Sequence, residues 1–259
     1  MNIVVCVKQV PEVIDADLEI NKEGTGIEEE DLVMHINDWD NYAVEEAVSI
    51  KEAQDGTVTA VTIGDEESED VLRRALAMGA DKAIRIDPGD RELDGFVIAR
   101  VLAKVIQDLQ YDLVLTGVQA DDDNNGMVGI MLAENLGLSH AAVVTGVEAE
   151  GEEATIRVEL EGGMDEITKI RLPSLLTVQT GINEPRYVSI MGIRKARNKE
   201  LAVRDIEDLD LSEDELTPRT VIEELFLPPE TAGAQMIEGD AASVAAEIIR
   251  IIKEKGVSI

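Results

Sequence analysis

Cysteine, basic residues and long apolar runs are all scarce in this sequence, and each scarcity narrows what the protein can be. The one cysteine, Cys6, excludes an internal disulfide and any metal site built from several cysteines. Lys and Arg together number 23 against 55 Asp and Glu, which gives a formal net charge of -32. A surface of that sign repels phosphate at long range, so neither nucleic acid nor an anionic membrane is expected as a partner.

The sequence has no apolar run of the roughly 18 residues that a membrane span requires. Its first residues follow a strand-like pattern and not the basic stretch and apolar segment of a secretory signal. With 44% hydrophobic residues in a chain of 259, a substantial core can be buried. We therefore expect a globular, cytoplasmic protein without membrane insertion.

Short apolar runs alternate with helical periodicity through the first half of the chain, which is typical of a parallel α/β sheet with right-handed crossovers. Strands are predicted where the near-continuous apolar runs lie, at residues 2–7, 58–63, 83–86 and 113–116. Four further strands, separated by glycine turns and expected to be antiparallel, follow at residues 142–147, 154–160, 166–172 and 175–180.

The C-terminal part of the sequence has a different character. Residues 205–239 are acidic, contain three prolines and show little periodicity, which indicates a linker or an extended arm. Residues 241–255 resume an apolar helical stripe that some surface must cover. We predict an α/β domain with a parallel sheet and added antiparallel strands at 1–200, followed by an arm and a terminal helix at 201–259.

The stretch GVQADDDNNGMVG, residues 117–129, follows a predicted strand and is rich in Asp, Asn and Gly. Asp121, Asp123 and Asn125 stand at the first, third and fifth positions of a calcium-binding loop. The twelfth position is Leu132, where such a loop needs a bidentate glutamate. This substitution disfavours calcium, and no other metal site is predicted.

A second interpretation of this stretch comes from its position. A loop that leaves the carboxyl end of a parallel strand and enters a helix lies where α/β sheets bind nucleotides. Backbone N–H groups of residues 124–128 would then face a phosphate at the helix N-terminus. The carboxylates would cap helix amides or accept hydrogen bonds from ribose hydroxyls and the adenine amino group. From the loop alone, a solvated acidic turn that caps a helix explains the pattern equally well.

Five motifs stand out along the chain: CVKQVPE at residues 6–12, INDWDNYAVEEAVSIKE at 36–52, ALAMGADKAI at 75–84, GVQADDDNNGMVG at 117–129 and NEPRY at 183–187. In this order they resemble the β subunit of the electron transfer flavoprotein family. ALAMGAD and NEPRY are the most specific of them. The resemblance covers essentially the whole chain.

The resemblance implies that residues 1–200 form an α/β, Rossmann-like nucleotide-binding domain, and that the chain pairs with a homologous α subunit as a heterodimer. The two subunits of the family hold FAD, mostly on α, and a second nucleotide, usually AMP, buried in β. The family's nucleotide-binding stretches and their immediate neighbours correspond here to Cys6, Asn37, Asp38, Trp39, Asp40, Asn41, Ile63, Gly117, Val118, Gln119, Ala120, Asp121, Asp122, Asp123, Asn124, Asn125, Gly126, Met127 and Val128. Trp39, at a helix start, can equally be a hydrophobic staple.

Three of these residues have an expected position in the fold. Cys6, Ile63 and Gly117 stand at or just past the carboxyl ends of predicted strands. Because parallel strands end at one edge of a sheet, the three loops should converge on one crevice. One adenylate would fit there.

The identity of the second nucleotide is predicted from residues 117–129, which we call the acidic loop. Family members that bind AMP resemble AIDDDCNQTG in this loop, and electron-bifurcating members, which carry a second FAD there, resemble AIDGDTAQVG. Asp123 agrees with the AMP type, Val128 agrees with the bifurcating type, and residues 124–127 agree well with neither. We favour AMP and keep a second FAD as the alternative.

The segment after NEPRY is, in family members, a recognition loop whose leucine inserts into a pocket on the electron-donating dehydrogenase. Ile190 stands at that position, and the predicted donor-docking residues are Tyr187, Ile190, Met191, Arg194 and Lys195. Five basic residues concentrate between residues 186 and 199 of this acidic chain, a contrast that can steer an acidic partner. We favour docking, and a surface turn whose basic residues neutralise neighbouring carboxylates is the alternative.

Two further partner contacts are predicted, one from the resemblance and one from the amphipathic terminal helix and the proline-containing segment before it. Glu159 matches a family glutamate thought to contact the mobile flavin domain, although Val158 replaces the arginine that usually stands beside it. An ordinary exposed strand residue explains Glu159 equally well. The arm and terminal helix of residues 201–259 are expected to dock on the α subunit.

We therefore predict an electron carrier subunit and not an enzyme, since the cofactor supplies the redox chemistry and the protein supplies binding and orientation. It would pass electrons from a donor dehydrogenase to a redox acceptor such as a quinone oxidoreductase. No catalytic residue is predicted, because His35 and His140 have no serine or cysteine nucleophile pattern. An adenylate-processing enzyme would need a GxxxxGK[ST] loop, which residues 117–129 lack. An adenine-nucleotide sensor or scaffold would instead form a colourless complex.

Overall fold

The computed structural model describes residues 1–13, 16–229, 233–234 and 236–256. The strands in these residues are β1 (Asn2–Cys6), β2 (Gln9–Pro11), β3 (Met34–Ile36), β4 (Thr57–Ile63), β5 (Lys82–Asp87), β6 (Leu113–Gly117), β7 (Ser139–Glu150), β8 (Glu153–Leu160), β9 (Met164–Arg171), β10 (Ser174–Val178) and β11 (Glu200–Asp205). The helices are α1 (Asp38–Gln54), α2 (Glu69–Met78), α3 (Gly95–Ile106), α4 (Val128–Leu136), α5 (Ile190–Ala196) and α6 (Ala241–Glu254). The chain divides into two compact units, Met1–Glu223 and Glu224–Ile259.

In the first unit, nine of these strands form one sheet in the order β11-β5-β4-β1-β6-β10-β7-β8-β9, and β2 pairs with β3 apart from it. The neighbours β5, β4, β1 and β6 are parallel. The chain runs from β1 to β4 and β5 on one side and then crosses to β6 on the other side, so the strand order reverses at β1. This arrangement is Rossmann-like and confirms the predicted α/β fold class.

The sheet is covered on both faces, which explains why its central strands are largely apolar. Along β1, Ile3 and Val5 face a core shared with α1 and α2. Val4 and Cys6 face a second core shared with α3 and α4. Because successive side chains of a strand point to opposite faces, each strand must be apolar at every position when helices cover both sides.

The strands of the second half differ in part from the prediction. β8 is antiparallel to both β7 and β9, as expected. β10 was expected to be antiparallel too, and this is wrong, because β10 runs parallel to both β6 and β7. All five residues of β10 are buried, so the chain returns after β9 to fill a central position between β6 and β7.

The boundary expected after residue 200 moves to Glu223. β11 pairs in parallel with β5 at the edge of the sheet, and Ile206, Leu209 and Leu216 are buried after it. The residues after 200 therefore complete the first unit before any arm begins. Positions 230–232, 235 and 257–259 of the predicted arm and helix lie outside the described residues.

The second unit contains α6, which confirms the helix predicted at residues 241–255. Asp240 caps it by accepting a hydrogen bond from the N–H of Ser243. None of the residues of α6 is buried, and Ile248 and Ile249 are 43% and 45% exposed. No helix in the described part of the chain combines the length and the apolar character needed to cross a bilayer.

Candidate functional site

The loops after β1, β4 and β6 leave the same edge of the sheet, because these strands are parallel neighbours. Cys6, Ile63 and Gly117 are the last residues of the three strands. α/β sheets bind ligands outside the carboxyl ends of their strands, at the point where the strand order reverses. The predicted convergence of the three strand ends is confirmed, and it lies at that point.

Asp40, in the first turn of α1, joins the ends of β1 and β6. Its Oδ2 accepts a hydrogen bond of 2.8 Å from the N–H of Lys8, and its Oδ1 accepts one of 2.9 Å from the N–H of Gly117. Asp40 is buried, and burial raises the pKa of its carboxyl to about 7 although these hydrogen bonds act in the opposite direction. One buried carboxyl thus fixes α1 against two strand ends.

A second set of hydrogen bonds joins the start of α1 to the loop after β6. Asn37 Nδ2 donates to the carbonyl of Gln119 at 2.8 Å, and Asn37 Oδ1 accepts from the N–H of Asp121 at 3.1 Å. Asp121 Oδ2 accepts from the N–H of Asp38 at 2.9 Å, a first-turn group that no helix carbonyl reaches. One aspartate of the loop therefore caps a helix, as predicted, and that helix is α1.

The other two aspartates of the loop contact Lys8. Its Nζ lies 2.7 Å from the Asp122 carboxylate and 3.0 Å from Asp123 Oδ2. Burial alone would lower the pKa of Lys8, but the two carboxylates outweigh it and raise that pKa. Lys8 was not among the residues predicted for the site. It lies two residues past the end of β1, within CVKQVPE, and this position beside a strand end is the signal that identifies it.

The loop turns sharply before α4. Asn124 and Gly126 have positive φ angles of 49° and 62°, a left-handed conformation that Gly and Asn adopt more readily than other residues. The N–H of Asn124 donates to Ala120 O, and the N–H of Asn125 is also bonded within the loop, both at 2.9 Å. These two N–H groups are therefore already bonded within the loop. Of the backbone N–H groups predicted to bind a phosphate, those from Gly126 onward remain. α4 begins without a side-chain cap.

Two observations at α1 bear on whether an adenine nucleotide fits these residues. Asn41 Oδ1 is buried and has no hydrogen-bond partner among the described residues, so it can accept from a ligand donor. Trp39 is half-buried, and its Nε1 donates to Gln179 Oε1 at 3.3 Å. Gln179 was missed because residues 175–180 were expected to run antiparallel, which would have put their end at the opposite edge of the sheet.

The remaining predicted residues surround this group. Val118 donates its N–H to Val178 O, which continues the pairing of β6 with β10. Met127 packs on the start of α3, where a Cβ added to Gly95 would lie 2.9 Å from the Met127 sulfur. Cys6 is buried, and burial raises the pKa of its thiol. The residues predicted for the nucleotide site thus lie around the carboxyl ends of β1, β4 and β6.

The predicted docking residues, except Glu159, lie together on the surface. The exposed members are Tyr187, Ile190, Met191, Arg194 and Lys195. The segment is not a loop as expected, because Ser189 Oγ accepts a hydrogen bond from the N–H of Gly192 and caps the helix α5. Tyr187, Ile190 and Met191 are 91%, 71% and 66% exposed, which is unusual for large apolar side chains.

Two of the basic residues expected to steer a partner are engaged within the fold. Arg186 forms ion pairs with Glu45 and Glu52. Lys199 Nζ donates to two carbonyls at the end of α2. The positive charge that faces solvent around α5 therefore comes from Arg194, Lys195 and Arg197.

Glu159 is separate from this surface. It is exposed in β8, opposite Asp165 of β9. The hairpin of β8 and β9 forms one end of the sheet, whereas α5 packs on α2, which covers β4 and β5. The structure therefore does not bring Glu159 together with the other predicted partner residues.

Comparison with known proteins agrees with this geometry. A family model described as "Electron transfer flavoprotein domain" matches residues 25–209. The electron transfer flavoprotein subunit beta of Bacillus subtilis is 38% identical over 257 residues, with 98% of each chain covered. That of Methylophilus methylotrophus is 37% identical over 262 residues, again with 98% of each chain covered.

A third relative has a different printed name. A caffeyl-CoA reductase-Etf complex subunit of Acetobacterium woodii is 34% identical over 265 residues, with 98% of this chain and 99% of that one covered. The motifs, the fold and these near full-length similarities agree. The chain therefore belongs to the electron transfer flavoprotein family, among its β subunits, which are electron carriers and not enzymes.

Proposed function

We propose that this chain pairs with an electron transfer flavoprotein α subunit, that the two hold FAD between them, and that the crevice at the ends of β1, β4 and β6 holds AMP. The observation that carries the AMP site is the assembly of Asp40, Asn37 and the acidic loop around that crevice. The flavin supplies the redox chemistry, and the protein supplies binding, orientation and the choice of partner.

The residues of the crevice suit an adenylate in charge and in hydrogen-bonding character. The first-turn N–H groups of α4 and the N–H groups from Gly126 onward would bind the phosphate, since a helix N-terminus favours an anion. Asn41 Oδ1 is a buried acceptor for a hydroxyl or amino hydrogen of the nucleotide. No residue of the loop is arranged as a nucleophile with a base, so the nucleotide would have a structural role.

A second FAD is the alternative occupant of the crevice. Asp123 supports AMP, because it is the residue that the bifurcating type replaces by glycine, and here it contacts Lys8. With AMP, the chain would be a single-flavin carrier that accepts electrons from a dehydrogenase in the cytoplasm. It would pass them to a redox acceptor such as a quinone oxidoreductase.

The unit formed by residues 224–259 is, in this proposal, the part that docks on the α subunit. α6 has an apolar stripe and buries none of its residues, as expected of a helix whose partner is another chain. The first unit, Met1–Glu223, contains the complete sheet. Residues 1–223 are therefore expected to fold without it.

Co-purification with the α subunit, followed by nucleotide extraction, tests these proposals together. The full chain should give a yellow complex with one FAD and one AMP, whereas a chain that ends at Glu223 should fold but retain far less α subunit. Two FAD and no AMP would establish the bifurcating alternative. A colourless complex with bound nucleotide would favour a sensor or scaffold. Equal retention of the α subunit by the shortened chain would contradict the docking role of α6.

The exposed apolar residues of α5 are proposed to contact the donor dehydrogenase. Replacing Ile190 by alanine removes apolar contact area from that surface, so kcat/KM with the dehydrogenase should fall by roughly tenfold. Flavin content and reduction by dithionite should not change. Val203→Ala is a matched control, because Val203 is 52% exposed on β11. An Ile190→Ala variant with normal kcat/KM would contradict the docking assignment.

A further inference from the structure

The docking segment, residues 187–195, has little buried surface of its own to hold it in place. Of the seven residues of α5, Ala196 alone is buried. A helix of this length is not stable in isolation, because nucleation of a helix is unfavourable and few hydrogen bonds offset it. Contacts at its two ends therefore add to its packing on α2 in fixing its orientation.

The C-terminal end of α5 and the residues after it form hydrogen bonds with α2 and its C-terminal end. Arg73 Nη1 donates to the carbonyls of Ala196 and Lys199 at 3.3 Å and 3.4 Å. Lys199 Nζ donates in return to Leu76 O at 2.9 Å and Ala80 O at 2.6 Å. These cations occupy carbonyls at the C-terminal ends of helices, where positive charge is favoured.

The end that precedes α5 is fastened to α1 through Arg186. Glu45 Oε2 accepts from the backbone N–H and the Nε of Arg186, at 3.0 Å and 2.9 Å, and Glu45 Oε1 accepts from Nη2 at 3.0 Å. Glu52 accepts from Nη1 and Nη2 at 2.8 Å and 3.1 Å. Asn183 adds a hydrogen bond of 2.9 Å from its Nδ2 to Glu46 Oε2.

The contact between Glu45 and Arg186 is the central one of this set. The Glu45 side chain is 8% exposed and that of Arg186 is 32% exposed, whereas the Glu52 side chain is 58% exposed and more screened by solvent. Burial alone would raise the pKa of Glu45, but the hydrogen bonds from Arg186 outweigh it and lower that pKa. A bidentate guanidinium–carboxylate contact fixes direction as well as distance.

We propose that Glu45 and Arg186 are positioning residues for electron transfer from the donor dehydrogenase, because they fix the start of the docking segment on α1. This inference rests on the proposed function of α5 as the docking site. With the contact intact, Ile190 and Met191 meet the partner in a preorganised arrangement. Without it, the partner must order the segment on binding, which lowers affinity.

The test compares three variants in the electron-transfer assay, with the complete flavin-loaded heterodimer. Glu45→Gln and Arg186→Gln should raise the KM of the donor dehydrogenase for the heterodimer by roughly three- to tenfold. Both variants should leave kcat and flavin content unchanged. Arg186→Lys keeps the charge but loses the bidentate geometry, so its KM should lie between those of Arg186→Gln and the wild type. Arg204→Gln is the matched control, because Arg204 lies on β11 and its replacement removes an ion pair with Asp108.

The outcomes separate this inference from the proposed function. If Ile190→Ala raises KM and the three variants at Glu45 and Arg186 do not, the docking site stands and the positioning role is overturned. If neither Ile190→Ala nor the variants at Glu45 and Arg186 change KM, the docking site itself is overturned. A lower unfolding temperature with unchanged KM would assign Glu45 and Arg186 to stability alone. If Arg186→Gln does not fold, Glu45→Gln and Arg186→Lys decide the question.

Discussion

Replacing Asp40 by asparagine is expected to change how the stability of the protein depends on pH between about 4 and about 7. Burial raises the pKa of Asp40 from 3.8 to about 7 in the folded chain. A raised folded-state pKa means that the contribution of Asp40 to stability is complete below its unfolded-state pKa and is lost as pH rises through 7. Over that window, the free energy of unfolding of the wild type should fall by about 4 kcal/mol relative to the asparagine variant.

Urea unfolding at a series of pH values measures this difference directly. The quantity to plot is the free energy of unfolding of the wild type minus that of Asp40→Asn, since the other carboxylates then largely cancel. Asp90→Asn is the control, since it removes a carboxylate from an exposed turn. A flat difference for Asp40→Asn would contradict the raised pKa of the carboxyl between β1 and β6.

Replacing Gly117 by alanine should disrupt the same junction by steric means. A Cβ on Gly117 would lie 2.6 Å from Asp40 Oδ1 and 2.6 Å from Trp39 Cβ, both in the first turn of α1. Because neither neighbour can move without shifting α1, the variant should lose about 1–3 kcal/mol of stability, as expected for overpacking. Its nucleotide content should also fall, since the start of α1 holds the acidic loop in position.

The matched control for this variant is Gly233→Ala. A Cβ on Gly233 would have no heavy atom of the described residues within 4 Å, so that variant should resemble the wild type in unfolding temperature and nucleotide content. Normal AMP content in Gly117→Ala, together with a normal unfolding temperature, would contradict the proposed coupling between α1 and the loop.

The central strands could be predicted from sequence because their signal is local. β1, β4 and β6 are largely apolar, which follows from burial on both faces, and helices with apolar stripes come after them along the chain. The direction of β10 has no such local signal. Its residues are equally apolar in either direction, and only long-range pairing with β6 and β7 decides which way it runs.

The candidate site was predictable to the extent that its residues are contiguous in sequence. The acidic loop stands out by composition, and the resemblance to the family added Asn37 and Asp40. Lys8 and Gln179 reach the site only because separate strand ends meet there, which requires the strand order and direction. The contact between Arg186 and Glu45 of α1 was missed for the same reason, because the two residues are more than a hundred positions apart in sequence.

The hydrogen bond between Trp39 and Gln179 provides an optical probe of this crevice. Trp39 is the only tryptophan of the chain, and it is half-buried beside Gly117. Indole fluorescence from the isolated chain therefore reports on one location. A nucleotide that enters the crevice, or a change at the neighbouring Asp40, should shift its emission without any attached label. Binding could then be titrated in unlabelled protein, before any flavin or partner subunit is added.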